Sequence, residues 1–122
     1  MDLKEMLKTG GRGVFATASK AGIVNTAVYA VPHIVDHETL AWGMVEGRTW
    51  SNLRENPNAS YAYFTQGEGY WGTRLTLVLS RTEESGEMLE KIRERARAKS
   101  PVNPDAIRHV AYLKVVETRP LA

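Results

Sequence analysis

The chain has 122 residues, of which 43% are hydrophobic and 25% charged, the proportions of an ordinary globular domain rather than a disordered or fibrous one. Sixteen basic and fourteen acidic residues leave a formal charge of +2, little ground for a nucleic-acid partner. The absence of cysteine excludes a disulfide framework and cysteine-ligated zinc or iron–sulfur sites.

The length predicts a single domain, residues 1–122, with a modest core that pairing with a second copy would enlarge. At the start, "MDLKEMLKTGG" carries Asp2, Lys4, Glu5 and Lys8 where a secretory leader would be apolar. No apolar run approaches the roughly 20 residues needed to cross a bilayer, so a cytoplasmic protein is expected.

Leu3, Met6 and Leu7 predict a short helix over Asp2–Thr9, ended by Gly10, Gly11 and Gly13. "VFATAS" (14–19) and "IVNTAVYAV" (23–31) predict a hairpin across the turn "KAG". "VPHIV" continues the second strand past Pro32 as an edge or bulge. "TLAWGMV" (39–45) is the third strand, and a two-turn helix over Thr49–Glu55 follows. "ASYAYFT" and "TRLTLVLS" are two more strands, joined by "QGEGYWG". Glu84–Lys99 is the one long helix, with an apolar stripe of Met88, Leu89, Ile92 and Ala96 and a Glu87–Lys91 pair. "AYLKVVET" (111–118) is a sixth strand. The expected fold is α+β, mainly β: a six-stranded, closed antiparallel barrel with peripheral helices.

Most candidate motifs reduce to structure. Gly67, Gly69 and Gly72 match G-x-G-x-x-G, but a β-rich segment follows where a dinucleotide site needs a helix. His33 and His37 fall on a strand and a loop, about 13 Å apart if extended, so they do not share a metal; all three histidines, His109 included, are expected at the surface. The cations from Lys91 to Lys99 interleave with Glu90 and Glu94 and read as a solvated helix face. No serine–histidine–acid signature and no paired carboxylates support hydrolysis.

The stretch "VEGRTWSNLRENP" differs. Arg48 offers a planar fork of donors for phosphate oxygens, and Thr49 adds a hydroxyl. If Thr49 caps the helix, the free N–H groups of Trp50 to Asn52 point the same way, toward an anion favoured by the helix dipole. Spacing alone leaves two readings: a phosphate-binding corner, or a plain cap beside a solvated cation.

A strand bearing Asn25 and Thr26, then strand Thr39–Val45, then "GRTWSNLRENPNASY" resembles the FMN-binding split-barrel family, also called pyridoxamine 5′-phosphate oxidase-like. The resemblance spans essentially the whole chain and is closest to the small FMN-binding proteins. It implies that Arg48 and Thr49 hold the FMN phosphate with Asn52 supporting. It also implies that Asn25 and Thr26 lie along the flavin and that Val45 and Glu46 offer backbone contacts to the ring. It further implies a homodimer with the flavin at the subunit boundary, where Trp71, Trp42 or the tail "RPLA" would cover the ring. The function implied is non-covalent FMN binding for electron or hydride transfer, with no catalytic side chain and no metal required. The Arg-and-His substrate segment of true pyridoxamine phosphate oxidases has no counterpart in "ETRPLA", so that oxidation is not expected. Some relatives bind a deazaflavin or haem. The alternatives are a deazaflavin-dependent reductase, or a cofactor-free barrel whose Gln66–Gly72 connection is an interaction surface.

Overall fold

A computed structural model describes residues 2–8 and 10–122. Asp2 caps α1 (Leu3–Met6), its carboxylate accepting from the Glu5 N–H at 3.3 Å; Thr9, the expected end of this helix, lies outside the described residues. There follow β1 (Arg12–Ala18), β2 (Val24–Tyr29), β3 (His33–Ile34), β4 (Thr39–Val45), α2 (Arg48–Glu55), β5 (Asn58–Phe64), β6 (Gly72–Glu83), α3 (Glu87–Lys99), a 3-10 turn (Pro104–Ala106) and β7 (Ile107–Pro120).

The fold is α+β and mainly β, but the sheet has seven strands rather than six, in the order β2-β1-β5-β6-β7-β4-β3 with every pair antiparallel. The difference lies at Pro32. The proline has no N–H to donate and its ring fixes φ, so "VPHIV" does not extend β2; His33 and Ile34 instead pair with Ala41 and Leu40 of β4. The chain thus passes in three residues, Ala30–Pro32, from one edge of the sheet to the other. The sheet must curl to bring those edges so close, yet no ladder joins β2 to β3. The barrel is curled and split at that point, as the family resemblance implies and unlike the closed barrel expected from the strand pattern alone.

Alternation along the strands sends Phe15, Tyr61, Tyr63, Leu75, Leu77 and Leu113 into one core. β4 buries residues on both faces: Leu40, Trp42 and Met44 enter that core, while Ala41 faces a second one under α3. There Leu89 and Ile92 pack on Ile107, Val110 and Tyr112, with Met88 and Ala96 at the margin. Gly43 lets α3 approach, since a Cβ there would collide with Ile92 and come within 2.8 Å of Ile107. On α3 the ion pairs are Glu90–Arg93 (2.9 Å) and Glu94–Arg97 (2.5 Å), one position tighter than the expected Glu87–Lys91 spacing. The glycine-rich Gln66–Gly72 segment is the β5–β6 connection, with Tyr70 and Trp71 exposed. No helix among the described residues is long and apolar enough to cross a membrane.

Candidate functional site

The helix after β4 begins one residue earlier than expected. Gly47, fully extended, occupies the N-cap position with no side-chain cap; Ser51 N–H makes the first intrahelical bond, to the Gly47 carbonyl. The unpaired first-turn donors are therefore the N–H groups of Arg48, Thr49 and Trp50, not those of Trp50 to Asn52. Thr49 is in the first turn, buried, and its hydroxyl faces Tyr29. Burial pushes the Tyr29 phenol up, and the Thr49 contact opposes this.

Beside this helix start lies a cavity of about 530 Å³, walled by β2, the end of β4, the start of α2 and the C-terminal half of α3. It brings together Asn25, Thr26, Val45, Arg48 and Thr49 of the sequence-predicted set, with Tyr29 and Trp42. α3 adds Arg95 and Lys99, two cations that read from sequence as solvated. Among the described residues no carboxylate lines this cavity, against three cations. Arg95 is half-buried; burial pulls its guanidinium below the ordinary value, and it donates to the Val31 carbonyl.

Two predicted residues lie elsewhere. Asn52 is buried beneath α2, its amide donating to the Thr17 hydroxyl at 3.1 Å, and is not part of the cavity wall. Glu46 turns its carboxylate to the other side of α2, where it meets His109 Nε2 at 2.5 Å. That bond holds the carboxyl below its usual range.

The surface expectation holds for His37 and fails for the other two histidines. His33 is half-buried with an unpartnered Nε2; burial, then Arg95 and Lys91, lower its pKa. His109 is buried. Its ring stacks on Trp50 at 3.9 Å and 9°, and its Nδ1 meets Glu84. Sequence reasoning missed it because the last strand begins at Ile107, four residues before the expected start. With the strand carried back, His109 falls in step with Ala111, Leu113 and Val115, all buried.

No family model matches the chain, and no curated protein matches its sequence. Solved structures do share its fold. An FMN-binding protein from Syntrophomonas wolfei subsp. wolfei superimposes with a TM-score of 0.78 at 19% identity, over 90% of this chain and 76% of that one. HupZ of group A Streptococcus gives 0.77 at 18% identity, over 98% and 90%. An F420 reductase gives 0.69 at 18%, over 95% and 94%. Pyridoxamine 5′-phosphate oxidase-like structures are also among the neighbours. At such identities the likeness is one of fold. This chain's own sheet is curled, antiparallel, split between its two edges and flanked by helices, and the chain has the split-barrel fold of FMN-binding and pyridoxamine 5′-phosphate oxidase-like proteins.

Proposed function

We propose that this protein binds FMN non-covalently in the cavity between β2, α2 and α3 and serves in electron or hydride transfer. The observation that carries this reading is the charge of the wall: Arg48, Arg95 and Lys99 face a space free of carboxylates among the described residues, beside the unpaired N–H groups of a helix start. A volume of about 530 Å³ falls within the range of small-molecule and cofactor sites. The fold shared with an FMN-binding protein adds support.

In this reading the Arg48 guanidinium and the N–H groups of Arg48 to Trp50 bind the phosphate, with the Thr49 hydroxyl beside them. Asn25 and Thr26 supply donors and acceptors to the polar edge of the ring. Trp42 and Ile92 exclude water from the inner wall. FMN, when bound, supplies the redox chemistry, and the protein supplies position, shielding and hydrogen bonds. The purified protein should be yellow, with FMN released on denaturation and identified by mass. A colourless protein that takes up no added FMN refutes the reading.

A deazaflavin is the second reading, favoured by the fold shared with an F420 reductase and by Arg95 and Lys99, which could hold further anionic groups. The mass of the chromophore separates the two. The homodimer belongs to the same proposal. β2 is an edge strand whose Val24 and Val28 are 76% and 77% exposed beside the cavity. A second copy laid on that face would bury them and cover the ring.

A further inference from the structure

The cavity occupies one side of the α2 start, and the other side carries a cluster of ionisable side chains that do not line it. His109 sits there, 9% exposed, with a carboxylate on each ring nitrogen: Glu46 on Nε2 at 2.5 Å, and Glu84 on Nδ1. Its ring lies flat on the indole of Trp50. These partners come from three separate elements. Glu46 directly precedes the Gly47 N-cap, Trp50 is the third residue of α2, and Glu84 lies between β6 and α3.

Little else holds the segment between β4 and α2. The β4–β7 register shifts between Met44 and Val45, and Val45 is the last residue of β4 on the ladder. A Cβ added at Gly47 would meet nothing nearer than Val45 at 3.7 Å, so that residue is barely packed, and glycine is conformationally free. No side chain caps the helix. The three N–H groups offered to the anion, those of residues 48 to 50, are bracketed instead by two contacts with one imidazole: Glu46 before them and the Trp50 ring at their end. A ring nitrogen that carries hydrogen donates to the carboxylate beside it, and the flat stack on the Trp50 indole fixes the plane of the ring. Arg54 and Arg108 add positive charge near Glu46.

We infer that His109, clamped between Glu46 and Glu84, is a positioning residue that fixes the phosphate-binding turn from behind. It touches no ligand; it holds the first-turn donors at the spacing a phosphate needs. This rests on the reading of the cavity as an FMN site. It also gives the Glu46 side chain a role of its own, beside the backbone contact to the ring expected of that residue.

The readout is phosphate selectivity, the ratio of FMN to riboflavin affinity, since riboflavin lacks only the phosphate. His109→Phe keeps a ring on Trp50 and removes both carboxylate partners. It should lower that ratio about tenfold, the worth of about one hydrogen bond, with riboflavin affinity within about twofold of native. Glu46→Gln alters only an exposed carboxylate and should lower the ratio about threefold by weakening the same contact. It decides the matter if His109→Phe does not fold. An unchanged ratio in a folded variant overturns the clamp while leaving the FMN reading intact, as do equal losses for the two ligands, which mark a general structural role. A native protein that binds neither ligand overturns both.

Discussion

Replacing Arg48 with alanine tests the electrostatic core of the proposal. The side chain is exposed, and no ion pair or hydrogen bond from its guanidinium occurs among the described residues. Its loss should therefore leave the apoprotein's stability within about 0.5 kcal/mol of native, as for an uninvolved surface position. Binding should respond differently. A hydrogen bond to a charged group is worth about 1.5–3 kcal/mol, and exposure to solvent favours the lower end. About 1.5 kcal/mol corresponds to roughly a tenfold loss of FMN affinity. Quenching of flavin fluorescence on titration with apoprotein would measure this. Riboflavin, having no phosphate, should bind both proteins alike. Raising the salt to 0.5 M shortens the screening length to on the order of 4 Å, so the contrast for FMN should shrink. Arg48→Lys should fall between the two, keeping the charge and losing the fork. Native FMN affinity in Arg48→Ala at low salt would remove this residue from the site.

Asn52→Ala leaves the buried Thr17 hydroxyl without its 3.1 Å partner, so denaturant unfolding should show a loss of about 1–3 kcal/mol. FMN affinity should stay within about threefold, and a selective loss of FMN binding would restore Asn52 to the phosphate site. Gly43→Ala drives a methyl against Ile92 and Ile107 and should cost about 1–3 kcal/mol; an unfolding midpoint unchanged from native would show that α3 can shift freely. His33 has a folded pKa below 6.5, set by burial first and then by Arg95 and Lys91. The unfolded chain therefore takes up its proton first, and the contribution, complete above pH 6.5, is lost as pH falls toward the folded value. His33→Gln should flatten the fall in stability between pH 7.5 and 5.5, and an identical pH profile would sink this assignment. Val24→Lys places charge on the exposed β2 face and should halve the sedimenting mass if that face joins two copies.

Local pattern made much of this molecule legible. The run Thr39–Val45 is a strand with the expected bounds, because turns flank it and β-compatible residues fill it. The stripe Met88, Leu89, Ile92 and Ala96 faces the second core because a 3.6-residue period leaves it one side to bury. Arg48 and Thr49 stand out in the sequence because a cation, a hydroxyl and a helix start together suit an anion, though a plain cap beside a solvated cation has the same spacing. What escaped was whatever depends on distant partners. His109 meets groups 63 and 25 residues away, and nothing in its neighbourhood announces them. Arg95 lies among alternating charges, and only the approach of α3 to β4 turns it to the cavity while Arg93 and Arg97 pair with glutamates. Thr49 stands in the first turn rather than at the cap, because an extended glycine takes that position without a side-chain bond.

The split in the sheet explains why the cavity lies where it does. Between β2 and β3 the ladder stops, and the carbonyls of Ala30 and Val31, past the end of β2, have no strand to accept from. Leaving them unpaired in a buried place would be costly. Side chains take them instead. The Tyr61 hydroxyl lies 3.0 Å from both the Tyr29 and Ala30 carbonyls and shares its single hydrogen between them, the Trp42 indole donates to Ala30 at 3.0 Å, and Arg95 reaches Val31. The groups that close the gap also have bulk, so they hold the two edges apart while satisfying the backbone. Arg95 uses one nitrogen for this task and, lining the cavity, keeps the remainder of its fork for an anion. A cation needed to complete the backbone is thus retained in a wall that lacks carboxylates among the described residues. Arg95→Met should therefore lower both fold stability and FMN affinity, whereas Arg48→Ala lowers affinity alone. If Arg95→Met proved as stable as the native protein under denaturant titration, the Val31 carbonyl would not need its partner, and this account of the split would fail.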